Sequence, residues 1–324
     1  MFTQQHSTQI IPFPCSDIRL HSNSILDGNG ITITMNDNRS IINATKINNV
    51  LIKNITIRYL TDEPLIHDAI KLTSSINIIF DNVNITSKKG VKPKGNNNDT
   101  PSAINCYYCE DIIVRNSSLQ FGCDIDITHP GTAEVTKAYG NGIKFFHVTR
   151  GVIINNRISS CATGVYTKLA ENLTIRDNHI HDIHRWSLND FGKGGCGILF
   201  SPCHDSTIDN NDIYNCEEHG IYLAGSKYNR IVNNNIYDNN GNGIQLNKGS
   251  GTNLKVSHNI INGNIVRDND MNGIALLRYA YYNVVNGNVC PGNVRKAIQQ
   301  SMGDSYFPRE EWSKGNRVGY NVTK

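Results

Sequence analysis

GIYLAGSKYNRIVNNNIYDNNGN (220–242) runs straight into GIQLN (243–247), and the second stretch restarts the first. Both open on Gly, an apolar residue, a variable residue and another apolar residue. The same opening stands at Gly142-Ile-Lys-Phe, Gly164-Val-Tyr-Thr, Gly197-Ile-Leu-Phe and Gly273-Ile-Ala-Leu. Successive glycines are 22, 33, 23, 23 and 30 residues apart, so a unit of 22–23 residues repeats and some units carry insertions. A second apolar run with Asn-rich turns follows each opening, as in VIINNRI (152–158), LTIRDNHI (173–180), STIDNNDI (206–213) and YNVVNGNV (282–289). Earlier units lack the Gly but keep the pattern in Asp68-Ala-Ile-Lys-Leu and Ser102-Ala-Ile-Asn-Cys.

Within each run the apolar residues alternate at period two, which marks short half-buried strands, and no 3.6-residue apolar stripe competes. A repeat of this length, holding two or three short strands, is one coil of a parallel β-helix. Asn and Gly fit its turns because both tolerate left-handed backbone, and stacked Asn side chains can bond from coil to coil. The fold class is therefore all-β: coils over 22–290, an N-terminal cap over 1–21, and a capping segment with a last partial coil over 291–324.

Composition narrows the function. The 324 residues carry 31 Lys and Arg against 28 Asp and Glu, a net +3 without the clustered basic surplus of a nucleic-acid binder. Hydrophobic content is 38%, which suits a narrow core. No apolar run reaches the ~18–20 residues of a membrane span, and MFTQQHSTQIIPFPCSDIRL (1–20) lacks the regions of a signal peptide. Nine cysteines leave at least one thiol free, which favours cytoplasmic synthesis or a virion component. Cys106-Tyr-Tyr-Cys109 has no second pair nearby to complete a zinc site.

SNSILDGNGITI (22–33), VLIKNITIRYL (50–60) and DAIKLTSSINIIFDNVNIT (68–86) resemble the opening coils of right-handed β-helix proteins of the pectate lyase and polygalacturonase superfamily. The later Gly-Ile-x-Leu and Asn-Asn-x-Ile coils are similar to generic carbohydrate-active repeats that include mannuronan epimerases. The resemblance implies a right-handed solenoid and a polysaccharide or oligosaccharide partner. It does not extend to catalytic signatures. Glu218-His219-Gly220 keeps only the His-Gly of the polygalacturonase motif, and Asp126-Ile-Thr-His129-Pro130 is a loose echo of the epimerase Asp-Pro-His.

Candidate chemistry follows from the alternation. Ile and Leu of each opening point inward, so the residues between and after them form an outward ladder: Lys71/Thr73, Asn105/Tyr107, Lys144/Phe146, Tyr166/Lys168, Tyr222/Ala224 and Gln245/Asn247. Insertions at 88–101, 124–141 and 184–195 all interrupt the turn before the Gly-Ile strand and would wall a groove over the coils beginning at 102, 142, 164, 197 and 220. Lys144, Tyr166, Lys168, Tyr222 and His219 are the expected catalytic set for a uronate lyase or C5-epimerase. Proton abstraction beside a carboxylate needs a base and a cation to hold the enolate-like intermediate. Tyr107, His129, Arg185, Trp186 and Gln245 are the expected substrate contacts. Asp124, Asp126, Asp190, Glu217 and Glu218 are the carboxylates that a glycoside hydrolase would draw on as a pair. A third reading is a non-catalytic glycan-binding β-helix of tailspike or adhesin type, monomeric or trimeric. No cofactor is required, although Asp124 and Asp126, on one face of a strand, offer a place for Ca²⁺.

Overall fold

A computed structural model describes residues 7–9, 18–92, 99–128, 135–185, 194–248, 254–301 and 312–323, with backbone alone for 7–9, 125–128 and 135–136. Ten short strands, one per coil, pair in parallel from Ile42–Thr45 and Ile70–Thr73 through Asn141–Phe146 and Thr163–Lys168 to Ile274–Leu276 and Ile298–Gln300. Two more rows complete each coil. In the first coils they are fused into bent 12-residue strands, Ser24–Met35, Asn48–Tyr59 and Ile76–Ser87. Later they separate, as in Val152–Ile154 and Arg157–Cys161. Asn54, Asn82, Asn116, Asn155, Asn210 and Asn233 occupy the bend with φ between 52 and 55°, a left-handed region Asn adopts at low cost.

Inward residues stack in register. Ile104, Ile143, Val165, Ile198, Ile221 and Ile244 form one fully buried row. The glycine that opens each later coil serves close approach and not turning. A Cβ on Gly220 would stand 2.4 Å from Ile236 Cγ2, and one on Gly243 2.2 Å from Val266 Cγ1.

Inside the bends runs a ladder of seven buried or half-buried asparagines, Asn156, Asn178, Asn211, Asn234, Asn264, Asn288 and Asn321. Each Nδ2 donates to the next Oδ1 at 2.9 Å. A second ladder joins Asn229, Asn259, Asn283 and Asn316 at 2.9–3.0 Å. The amides satisfy the polar backbone of the turns, which a narrow core cannot hand to water.

The described part of the 124–141 insertion is regular. It is an antiparallel hairpin of Gly122–Thr128 and Val135–Tyr139, bulged between Cys123 and Asp126. The coils also run past residue 290. Ile298–Gln300 and Arg317–Val318 extend two sheets, while Ser7–Gln9 pairs in parallel with Ser24, Ile25 and Leu26 at the other end. Among the described residues the eight cysteines are unpaired, and seven of them are buried. No helix among those residues is long and apolar enough to cross a membrane.

Candidate functional site

Strand register sets Asn43, Lys71, Asn105, Lys144, Tyr166, Leu199, Tyr222 and Gln245 in one outward row. Thr73, Tyr107, Phe146 and Lys168 form a second row beside it. The N-terminal part of these rows floors an open groove of about 840 Å³. Its wall comes from the turns that precede the sheet strands: Ser40, Ile66, His67, Asp68, Asp99 and Pro101. The groove thus lies over the coils that begin near 42, 70, 102, 141 and 163, two coils closer to the N-terminus than the insertions alone imply.

Three lysines, two carboxylates and an aromatic pair meet here. Lys144 is only 5% exposed, and its Nζ donates to the Thr100 carbonyl at 3.1 Å. Lys71 and Lys168 are half-buried on either side. Asp68 is fixed through both oxygens, accepting from the Ser102 backbone N–H and from Asn105 Nδ2 at 2.8 Å each. Tyr107 and Phe146 stack at 4.8 Å between ring centroids, and Lys168 Nζ sits 5.6 Å from the Phe146 centroid. His67 is exposed on the wall.

Tyr166, next in the row, is buried and does not line the groove. It packs with Leu199, Cys196 and Tyr222 as a small apolar cluster. Burial, with Asp99 adding to it, pushes its phenol well above the usual range, so it stays protonated and can donate but not act as a base. Tyr222 behaves alike, through burial and then the nearby Cys196 and Glu218.

A second cluster therefore surrounds Tyr222, ~14 Å along the row from Lys144 at ~4.8 Å per strand. His219 and Glu218 are both buried there. His219 Nδ1 accepts from the Asn242 backbone N–H at 3.0 Å, its ring meets Tyr222 edge-on at 5.5 Å, and Cys196 Sγ donates to Glu218 at 3.5 Å. Gln245 Oε1 accepts from Asn242 Nδ2 at 2.6 Å. Burial, and secondarily the Arg185 charge, lowers His219 to about 3. The five residues expected to act together are thus divided, with Lys144 and Lys168 in the groove, Tyr222 with His219 in the second cluster, and Tyr166 packed between them.

That histidine has a measurable consequence. The unfolded imidazole takes up a proton below 6.5 while the folded one stays neutral down to about 3. Stability must fall as pH falls through that window, by at most about 1.4 kcal/mol per pH unit from this group. In His219→Asn, whose amide oxygen can still accept from Asn242, denaturation midpoints between pH 7 and pH 4 should converge relative to the parent. An unchanged acid limb would remove His219 as its source.

The remaining candidates lie elsewhere. Glu217 accepts from His184 Nδ1 at 3.0 Å and the Arg185 backbone N–H at 2.8 Å. Partial burial opposes these bonds, which still hold its carboxyl below the usual range. Glu217 and Glu218 therefore serve different partners. Asp124 is exposed and pairs with Lys137 at 2.8 Å, and the bulge interrupts the alternation that would align it with Asp126. The Asp126 side chain, His129, Trp186 and Asp190 fall outside the described residues. Among the described residues no group of three or more His, Cys, Asp or Glu is arranged to hold a metal ion. Asp68, Asp99 and His67 are groove residues that the ladder did not single out. Their signal was position, since they occupy the same pre-strand turn as the insertions.

Residues 132–290 match the family model described as right handed beta helix region. The chain is a right-handed parallel β-helix. No curated protein matches it. Among solved structures it is similar to the Dettilon tailspike protein, at 19% identity and TM-score 0.61, covering 93% of this chain and 55% of that one. It is also similar to the Streptococcus pneumoniae surface protein and adhesin PfbA, at 15% identity and TM-score 0.56 over 94% of this chain and 87% of that one. The periplasmic alginate epimerase AlgG gives 13% identity and TM-score 0.55, covering 94% and 84%. The β-helix thus spans little more than half of the tailspike chain. At these identities the likeness is one of fold.

Proposed function

We propose that this β-helix acts on an acidic polysaccharide in the N-terminal groove by abstracting a proton next to a uronate carboxylate, as a lyase or C5-epimerase. The observation that carries the reading is the convergence of Lys71, Lys144 and Lys168 on a groove that also presents the Tyr107–Phe146 stack. A sugar ring packs on the aromatic pair while its carboxylate meets the ammonium groups. Lys144, desolvated and held by Thr100, is the cation preorganised for the charge that develops when the C5 proton leaves. His67 on the wall supplies an imidazole as the base. Loss of the C4 oxygen completes elimination; return of a proton to the opposite face completes epimerisation.

A panel of uronate polymers tests this. Near-ultraviolet absorbance from an unsaturated product, or deuterium entering C5 from solvent, is the expected result. New reducing ends without unsaturation would transfer the reaction to hydrolysis, for which Asp68 and Asp99 line the same groove. Binding without turnover on every polymer would leave a glycan-binding module and reject the catalytic reading.

A further inference from the structure

The corner that follows the ten-stranded sheet changes character along the molecule. In the early coils the first of its two left-handed positions holds Lys46, Ser74, Tyr108, His147 and Leu169, and the second holds Asn49, Asn77, Asp111, Asn172 and Asp205, with Arg150 the exception in that second column. In the last coils the same column, carried by backbone bonds from Asp205 to Lys227, Tyr228 to Ser257 and His258 to Tyr281, holds Tyr228, His258 and Tyr282 at φ 55–58°. Bulky residues are unfavourable there, and Asn or Gly would serve the turn better. Three aromatic rings in succession therefore point to a use other than turning the chain.

The rings are continuous. Tyr228 and His258 stack at 5.1 Å, His258 and Tyr282 lie 5.5 Å apart, and Tyr282 reaches Tyr281 at 6.3 Å and through it Tyr279 at 6.0 Å. Tyr228 and Tyr282 are 54% and 58% exposed. Lys255 Nζ stands 5.4 Å from the Tyr281 centroid, and Lys248 Nζ 5.4 Å from that of Tyr279. Between residues 225 and 282 the carboxylates are Asp238, Asp268 and Asp270. They cluster at the opposite corner, where the chain enters the sheet strands Ile244–Asn247 and Ile274–Leu276.

We infer that this corner is a second, non-catalytic binding surface for an acidic polysaccharide, which lays sugar rings on Tyr228 and Tyr282 and sets carboxylates against Lys255 and Lys248. The inference rests on the proposed glycan partner of the groove, and extends it. The corner is several coils beyond the groove along the same solenoid axis, so one long chain can engage both sites while a short oligosaccharide engages one. Two weak sites on one chain raise retention on polymer without new contacts at either.

The test uses native gels containing polygalacturonate or alginate, with protein whose groove is disabled by Lys71→Met and Lys168→Met. That protein should still be retarded by polymer, less so as salt rises. Adding Tyr228→Asn and Tyr282→Asn, the residue the early coils use, should weaken retardation about tenfold, which is about 1.4 kcal/mol over the two rings. Lys255→Gln should reduce retardation in these gels and not in a neutral-glycan gel. Equal retardation with and without the tyrosines overturns the inference, as does no retardation of the groove-disabled protein. A shift of oligomeric state in the tyrosine variant also overturns it, by making the corner an interface between copies. Turnover by the groove-disabled protein is a separate readout, and its survival would sink the groove reading alone.

Discussion

Lys144→Met is expected to lower kcat on a uronate polymer by about 10²–10³-fold, the usual cost of removing one preorganised charge-stabilising donor. The side chain is nearly isosteric, so the groove keeps its shape. What disappears is the ammonium that the Thr100 carbonyl holds in place at 3.1 Å. That carbonyl loses a partner, at about 1–3 kcal/mol of stability, so kcat at saturating polymer must be read beside a denaturation curve. A fall in kcat with little change in KM is the signature of charge that matters in the transition state. Activity within a few-fold of the parent would show that Lys144 is a buried structural cation and no part of the chemistry.

Asn211→Ala carries the largest expected loss of stability, about 3–5 kcal/mol. The Asn211 amide donates through Nδ2 to Ile175 O, Asp209 O and Asn234 Oδ1, each at 2.9–3.0 Å. Its Oδ1 accepts from both the backbone N–H and the Nδ2 of Asn178, at 3.1 and 2.9 Å. Alanine takes a bond from buried groups on three successive coils and leaves the Asn178 backbone N–H without its acceptor, and the cost of a buried orphan exceeds the net worth of the bond it lost. By contrast, Asn82→Gly in the exposed ladder, which keeps the left-handed backbone of that bend, loses only bonds that water can replace. Urea unfolding of the two variants should separate them by at least 2 kcal/mol, on the order of the difference between buried and exposed bonds. Equal costs would mean that the inner ladder does not hold the coils together.

The coil was legible because one physical rule repeats ten times. Alternation at period two fixes which residues face inward, so Ile143 and Leu246 could be placed in the core, and Lys144 and Tyr222 outside it, from sequence alone. The Asn ladders followed from the same periodicity. The path of the turns was not legible. His67, Asp68 and Asp99 reach the groove through irregular backbone, where no period assigns a direction, and only the fixed place of the turn in the coil hinted at them. Burial was equally hidden. His219 and Glu218 look like exposed turn residues in sequence, yet the neighbouring coils cover them. The hairpin at Gly122–Thr128 shows the same limit, since its pairing is local and antiparallel while the repeat is neither.

A structure of the protein with a bound uronate oligosaccharide tests the central claim most directly. The claim predicts a sugar ring against Tyr107 and Phe146, its carboxylate within hydrogen-bond reach of Lys71 or Lys144, and the C5 hydrogen turned toward His67. An oligosaccharide seated at the Tyr222 cluster, with the N-terminal groove empty, would contradict it.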